Sequence, residues 1–122
     1  MDKISRLLTR NAQTAIYYTP LMIDEGASTV ATQKVAIAKY NSLLASRLEA
    51  FLEVNCDATG KLVDTVAPFE KAVKNPTAYG APDATCFNED GVSCLWFNNY
   101  HPGVQIQKLV AQAVKSAFAG FF

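Results

Sequence analysis

The residues able to do chemistry concentrate in one stretch, residues 86–103, which has the sequence Cys-Phe-Asn-Glu-Asp-Gly-Val-Ser-Cys-Leu-Trp-Phe-Asn-Asn-Tyr-His-Pro-Gly. It contains the single histidine and the single tryptophan of the chain. Because Pro102 suits the first position of a helix, His101 is expected at a helix N-terminus. The positive end of the helix dipole disfavours a protonated ring, so the imidazole stays available as a base. Asn98, three residues earlier, is placed to orient the ring without adding charge.

A structural interpretation of the same residues stays open. A lone histidine before Pro-Gly is often structural, and Trp96, Phe97 and Tyr100 are aromatic residues of the kind that fill cores. Asp83, Glu89 and Asp90 reach His101 only if their loop folds back. Spacing alone does not decide between a base with a ligand-binding aromatic loop and an ordinary core segment.

Other polar residues give weaker signals. Asp64 follows a predicted strand, and a carboxylate at the C-terminal end of a strand often faces the site in α/β folds. A helix-capping role for Asp64 fits equally well. None of the six serines lies in a Gly-x-Ser-x-Gly or Gly-Asp-Ser segment.

Three cysteines are present. Cys86 and Cys94 bracket an Asp-Gly turn and predict a disulfide, which contributes about 2.5 kcal/mol in the chain-entropy model and indicates an oxidising compartment. Cys56 is left over. There is no Cys-x-x-Cys and no Cys/His ligand spacing, so we expect no metal site and no cofactor.

Size and charge restrict the function further. The 122 residues suffice for one domain, and 11 basic residues balance 11 acidic ones. This balance gives no footprint for nucleic acid or an anionic membrane and favours a neutral or sugar-like ligand. Neither a secretory leader nor an apolar run of about 18–20 residues occurs. A predicted disulfide without a leader suggests that an N-terminal part has been lost.

Periodicity predicts alternating helices and strands. The expected order is a weak helix within residues 1–12 (Ile4, Leu7, Leu8), a strand at 15–19, a loop at 21–27, a long helix from Ser28 or Thr29 to Val54, a strand at 61–66, a short helix from Pro68 to Asn75, and a C-terminal helix from Pro102 to Phe118. A crossover would pair the two strands in parallel. Two strands do not make a stable parallel sheet, which indicates the end of a larger α/β domain.

Four segments carry a family resemblance: Tyr-Asn-Ser-Leu-Leu at 40–44, Leu-Val-Asp-Thr at 62–65, Asn-Pro-Thr-Ala-Tyr-Gly at 75–80, and Cys-Leu-Trp-Phe-Asn-Asn-Tyr-His-Pro-Gly at 94–103. Together they resemble the C-terminal part of fungal GDSL-type (SGNH) esterases. The nearest group is carbohydrate esterase family 16, acetylesterases that act on acetylated sugars. The resemblance spans roughly residues 33–118.

The resemblance implies a flavodoxin-like α/β/α sandwich with a parallel sheet, of which residues 1–122 form a single partial domain. It implies acyl transfer to a serine, in which His101 matches the base and Asn98 occupies the position of the acid that orients it. Trp96 and Tyr100 are expected to bind substrate, a small ester or acetylated carbohydrate, in an extracellular protein. The nucleophile and oxyanion blocks lie upstream in the family, so the chain alone is expected to be catalytically silent.

Two alternatives accompany this hypothesis. In the first alternative, the chain is a non-catalytic carbohydrate-binding or interaction module that retains the aromatic loop. In the second, it pairs with a separate N-terminal fragment. Under all three hypotheses, apolar helix faces around Leu44, Leu48, Leu109 and Val110 are expected to lack part of their cover and to promote self-association.

Overall fold

The computed structural model describes residues 4–10, by their backbone, and residues 18–119. Its elements are β1 (Ile4–Arg10), α1 (Pro20–Asp24), α2 (Ala27–Val54), β2 (Ala58–Asp64), α3 (Val66–Lys74), a 3₁₀ turn (Pro76–Tyr79) and α4 (Val104–Ala117). The described chain is therefore a mixed helix and strand protein, which is compatible with the predicted α/β class.

The two strands pair in parallel, with Ile4 opposite Ala58 and Arg10 opposite Asp64. This corrects the helix predicted within residues 1–12, since the weak helical spacing of three apolar residues is overridden by pairing along a seven-residue strand. The strand predicted at 15–19 lies mostly outside the described residues, and its last two residues, Tyr18 and Thr19, lead into a helix. Parallel pairing across the long helix was predicted, but β1 is the partner strand.

Helix α1 replaces the loop predicted at residues 21–27. Thr19 is its N-cap, and its side-chain oxygen accepts a hydrogen bond from the Met22 amide at 3.3 Å. Pro20 occupies the first turn, where its missing N–H costs nothing. The Leu21 amide donates to the Asn99 carbonyl at 2.9 Å, so α1 is held against the segment before His101.

Helix α2 confirms the longest predicted element, although it starts at Ala27 after Gly26 rather than behind a Ser28 or Thr29 cap. Leu48 is its buried residue. Of the four apolar residues expected to lack part of their cover, Leu44, Leu109 and Val110 are half-buried and Leu48 is buried. The exposed apolar side chains of α2 include Val35, Leu43 and Val54. Self-association stays a prediction.

Asp64 ends β2 and starts α3. Its Oδ1 accepts hydrogen bonds from the Val66 amide at 3.0 Å and the Ala67 amide at 3.3 Å, which is the capping role that the sequence left open. Because this turn stops the strand, β2 covers Ala58–Asp64 rather than 61–66. Helix α3 is confirmed, with Pro68 in its first turn.

The core lies between α3, α4 and the segment that precedes α4. Its buried members are Phe69, Ala72, Ala81, Leu95, Trp96 and Ile106. Trp96 has no exposed surface, its Nε1 donates to the Ala84 carbonyl at 2.8 Å, and its ring lies 6.0 Å from that of Phe69. The indole is thus a satisfied core residue, which corrects the expectation that Trp96 binds substrate.

Among the described residues, no helix has both the length and the apolar content required for a bilayer span. The described residues also contain no group of three or more potential metal ligands.

Replacing Ile106 by alanine tests the position of the core. Because Ile106 is fully buried against Leu95 and Trp96, Ile106→Ala should lower the free energy of unfolding in urea by about 2–5 kcal/mol. Val104→Ala, two residues away and exposed, should cost about 0.5 kcal/mol. Similar losses in the two variants would contradict this core.

Candidate active site

The site is built on a disulfide-closed loop. Cys86 and Cys94 are bonded, with Cα atoms 5.5 Å apart, which confirms the predicted pairing. Cys56 is an exposed free thiol. Gly91 allows the turn inside the loop because its φ of 72° lies in the left-handed region. The loop is therefore fixed both covalently and by its backbone conformation.

Two carboxylates serve this loop rather than the histidine. The Ser93 hydroxyl and the Ser93 and Val92 amides donate to Asp90, in that order of effect, and lower its pKa below 3.8. The Thr85 and Cys86 amides likewise lower the pKa of Asp83. The donors of these hydrogen bonds lie within residues 85–93, whereas the imidazole is hydrogen bonded to Asn98.

The loop holds the start of α4. The Gly103 amide donates to the Leu95 carbonyl at 2.7 Å, and the Val104 amide donates to the Gly91 carbonyl at 2.9 Å. A Cβ on Gly103 would lie 2.8 Å from the Gly91 oxygen and 3.0 Å from the Leu95 oxygen. Only glycine permits this approach. This role of Gly103 was not predicted from the sequence, although a glycine directly before a helix is a usable signal.

Helix α4 begins at Val104 with Gly103 as its N-cap, which corrects the prediction that Pro102 is the first helical residue. His101 therefore precedes the first helical residue by three positions. Because the helix dipole acts mainly within the terminal turn, it does not set the orientation or the tautomer of this imidazole. The immediate neighbours of the ring set both.

Asn98 is that neighbour. Its Oδ1 accepts hydrogen bonds from the Tyr100 amide at 3.0 Å and the His101 amide at 2.7 Å, and it lies 3.0 Å from His101 Nδ1. Backbone amides only donate, so the atom that faces them must be the amide oxygen. Nδ1 is then the protonated nitrogen, and the lone pair of the neutral ring is on Nε2. The arrangement presents a base at Nε2.

The surroundings of the imidazole are open. The Phe97 amide donates to the His101 carbonyl at 2.8 Å and closes the turn. The Tyr100 ring meets the imidazole edge-on, with ring centroids 5.3 Å apart, and is 40% exposed. A groove of about 530 Å³ runs beside His101, lined by Gly91, Phe97, Pro102, Gly103, Val104, Gln107, Lys108 and Ala111. Substrate can therefore reach the ring from solvent.

The structure brings together His101, Asn98 and Tyr100, while Trp96 lies in the core. Within residues 18–119, no serine, aspartate or glutamate side chain is hydrogen bonded to the imidazole. The described residues thus provide a base and the group that orients it. They do not place a nucleophile against that base.

Comparison with known proteins gives one informative match. The chain is 52% identical over 108 residues to a curated protein named acetylesterase from the fungus Thermothelomyces thermophilus. This chain is similar to an acetylesterase. The match covers 88% of the chain and 36% of the acetylesterase, so the chain spans about a third of its relative's length. No protein-family model and no solved structure matches the chain.

Gly103→Ala should disturb the site from its backbone. The added methyl would meet two carbonyl oxygens at 2.8 and 3.0 Å, so we expect a loss of about 1–3 kcal/mol of stability and altered amide chemical shifts at His101 and Val104. Gln107→Ala, at an exposed position in the first turns of α4, is the control. Unchanged stability and shifts in Gly103→Ala would show that this contact is not tight.

Acid should weaken the disulfide loop through Asp90. Its folded-state pKa is lowered, so its contribution to stability is complete above the ordinary value of 3.8 and is lost as the pH falls below 3.8 through the folded-state pKa. The stability difference between wild type and Asp90→Ala should stay constant near neutral pH and shrink in this acidic range. A difference that persists in strong acid would contradict the role of the carboxylate.

Proposed function

We propose that this chain forms the base-bearing part of a GDSL-type (SGNH) ester hydrolase that deacetylates carbohydrates or other small esters. The observation that carries the proposal is the contact between Asn98 Oδ1 and His101 Nδ1 at 3.0 Å, which leaves Nε2 free to accept a proton. The 52% identity to an acetylesterase supports ester hydrolysis as the reaction class.

In the proposed reaction, a serine hydroxyl attacks the acyl carbon of the ester while His101 Nε2 accepts the hydroxyl proton. The same nitrogen then donates the proton to the oxygen of the leaving alcohol. Water attacks the resulting acyl-enzyme, again with His101 as base, and releases the acid and the free serine. Asn98 touches no reacting atom, so it is a positioning residue.

An asparagine at the position of the usual acid should lower turnover less in this chain than in a serine protease. There, the Asp-to-Asn change costs about 10⁴ in turnover because the histidine takes the wrong tautomer. In this chain two backbone amides bind the oxygen of Asn98 and direct that oxygen toward the ring. The tautomer is the productive one. The remaining cost is the missing negative charge, which would stabilise the protonated imidazole.

The serine and the oxyanion donors are proposed to come from segments that correspond to the rest of the relative's length. The described residues hold no serine against His101, and the match covers 36% of the acetylesterase. The parallel β1–α2–β2 unit supports the wider proposal of a flavodoxin-like sandwich. The disulfide supports an extracellular location. Burial of Trp96 removes the main aromatic surface of the binding-module alternative.

A chimera tests the reaction. The stretch of the Thermothelomyces acetylesterase that aligns with this chain is replaced by the residues of this chain, and hydrolysis of 4-nitrophenyl acetate is measured. The chimera should be active, and His101→Ala should lower its kcat by about 10²–10⁴. Activity that survives His101→Ala in a folded chimera would refute the proposed base.

The isolated chain provides the complementary measurement. Because no nucleophile is placed against His101, the chain and its His101→Ala variant should hydrolyse an unactivated acetyl ester, such as ethyl acetate, equally slowly. A faster rate in the wild-type chain would reveal a nucleophile within it and would overturn the proposed division of the site.

The role of Asn98 is tested by the tautomer of the imidazole. Nitrogen-15 NMR of neutral His101 should show the proton on Nδ1 in the wild type and in Asn98→Asp, because both side chains present an oxygen. In Asn98→Ala the population should shift toward protonated Nε2. Tyr100→Phe, which keeps the ring against the imidazole, should leave the tautomer unchanged. A tautomer insensitive to Asn98→Ala would contradict the positioning role.

A further inference from the structure

A second groove, of about 570 Å³, lies between α1 and the disulfide loop. Its lining comes from α1, from the loop and from the segment before His101: Pro20, Leu21, Ile23, Asp24, Thr85, Phe87 and Asn99. It shares no lining residue with the groove beside the imidazole.

The wall of this groove formed by the loop is a rigid aromatic platform. Phe87 is 54% exposed, yet it directly follows the disulfide-bonded Cys86. On its other side, the Asn88 amide donates to the carbonyl of buried Trp96 at 3.0 Å, and Phe87 forms a bridge with Trp96. The backbone is therefore fixed on both sides of Phe87, and this fixed position presents a large exposed apolar side chain to a ligand.

The opposite wall is fixed as well. The Leu21 amide of α1 donates to the Asn99 carbonyl at 2.9 Å, which ties the helix to the same segment that carries His101. The exposed side chains of Ile23 and Asp24 lie on this helix. The groove therefore keeps its shape without a ligand, as binding sites for small molecules usually do.

The side chains of the groove match the two kinds of surface on a sugar. A pyranose has an apolar C–H face, which packs on the negative face of an aromatic ring such as Phe87. Its hydroxyl groups need acceptors and donors, which the Asp24 carboxylate and the Asn99 amide provide. Among the described residues that line this groove, none is basic. An anionic ligand would thus meet Asp24 without a compensating cation.

We propose that this groove binds a neutral sugar ring, stacked on Phe87 and hydrogen bonded to Asp24 and Asn99. Its role rests on the proposed function: the sugar is the alcohol part of the ester. Asn99 and His101 are two residues apart, so their Cα atoms lie within about 7.6 Å. A sugar held at Asn99 therefore lies next to the segment that carries the base. Phe87 thus has the substrate-binding role that was predicted for Trp96 from the sequence.

The test is a titration of the nitrogen-15-labelled chain with xylobiose, followed by amide chemical shifts. Saturable shifts should occur at Leu21, Asp24, Thr85 and Asn99, with a Kd in the millimolar range. Phe87→Ala should weaken binding by about tenfold, a loss of about 1.4 kcal/mol. Val92→Ala is the matched control, because Val92 belongs to the same loop and is also 54% exposed; its affinity should equal that of wild type.

Four results would overturn the proposal. Three are the absence of saturable shifts, shifts centred on Phe97 and Val104 beside His101, and equal affinity in wild type and Phe87→Ala. The fourth uses glucuronic acid as an anionic probe: shifts at the same amides with equal or higher affinity would refute a neutral-sugar site. Binding is read without hydrolysis. A failed titration therefore leaves the His101 dependence of the chimera intact, and a chimera independent of His101 leaves the titration intact.

Discussion

The close approach of Gly103 to the carbonyl oxygens of Gly91 and Leu95 is the constraint on which the site depends. Leu95 is fully buried, so its carbonyl is fixed by the core, and the Gly103 amide binds it at 2.7 Å. The Gly91 carbonyl binds the first amide of α4 and belongs to the disulfide loop. Core, disulfide and helix start thus meet at one glycine. The turn that carries His101 lies directly before it and inherits its position.

Orientation of the imidazole is then decided by the backbone rather than by a charge. The amides of Tyr100 and His101 both donate to Asn98 Oδ1, and this fixes which end of the Asn98 amide faces the ring. The five-residue turn 97–101 thus selects the tautomer with the proton on Nδ1 and the lone pair on Nε2. The orientation of the ring is set at this position without a negative charge.

Features set by local spacing were predictable from the sequence. These include α2, α3, the body of α4, the Cys86–Cys94 pair and the proximity of Asn98 to His101. Features set by distant contacts were not. Strand β1 depends on pairing with β2 more than 50 residues away, the burial of Trp96 depends on α3 and α4, and the crowding of Gly103 depends on Gly91. Helix α1 was missed because residues 21–27 were predicted as a loop, although Pro20 suits the first turn of a helix.

The location of the core explains how the base can keep its geometry in a chain that spans about a third of its relative. Buried residues cluster around α3, α4 and Leu95–Trp96, whereas α2 exposes Val35 and Val54. Among the described side chains, burial is therefore densest next to the His101 turn and sparse along α2. Elements that cover α2 would add stability there without having to reposition Asn98 and His101. A preformed base needs its nucleophile delivered, not its own geometry rebuilt, which is consistent with a hydrolase site assembled from two parts of a fold.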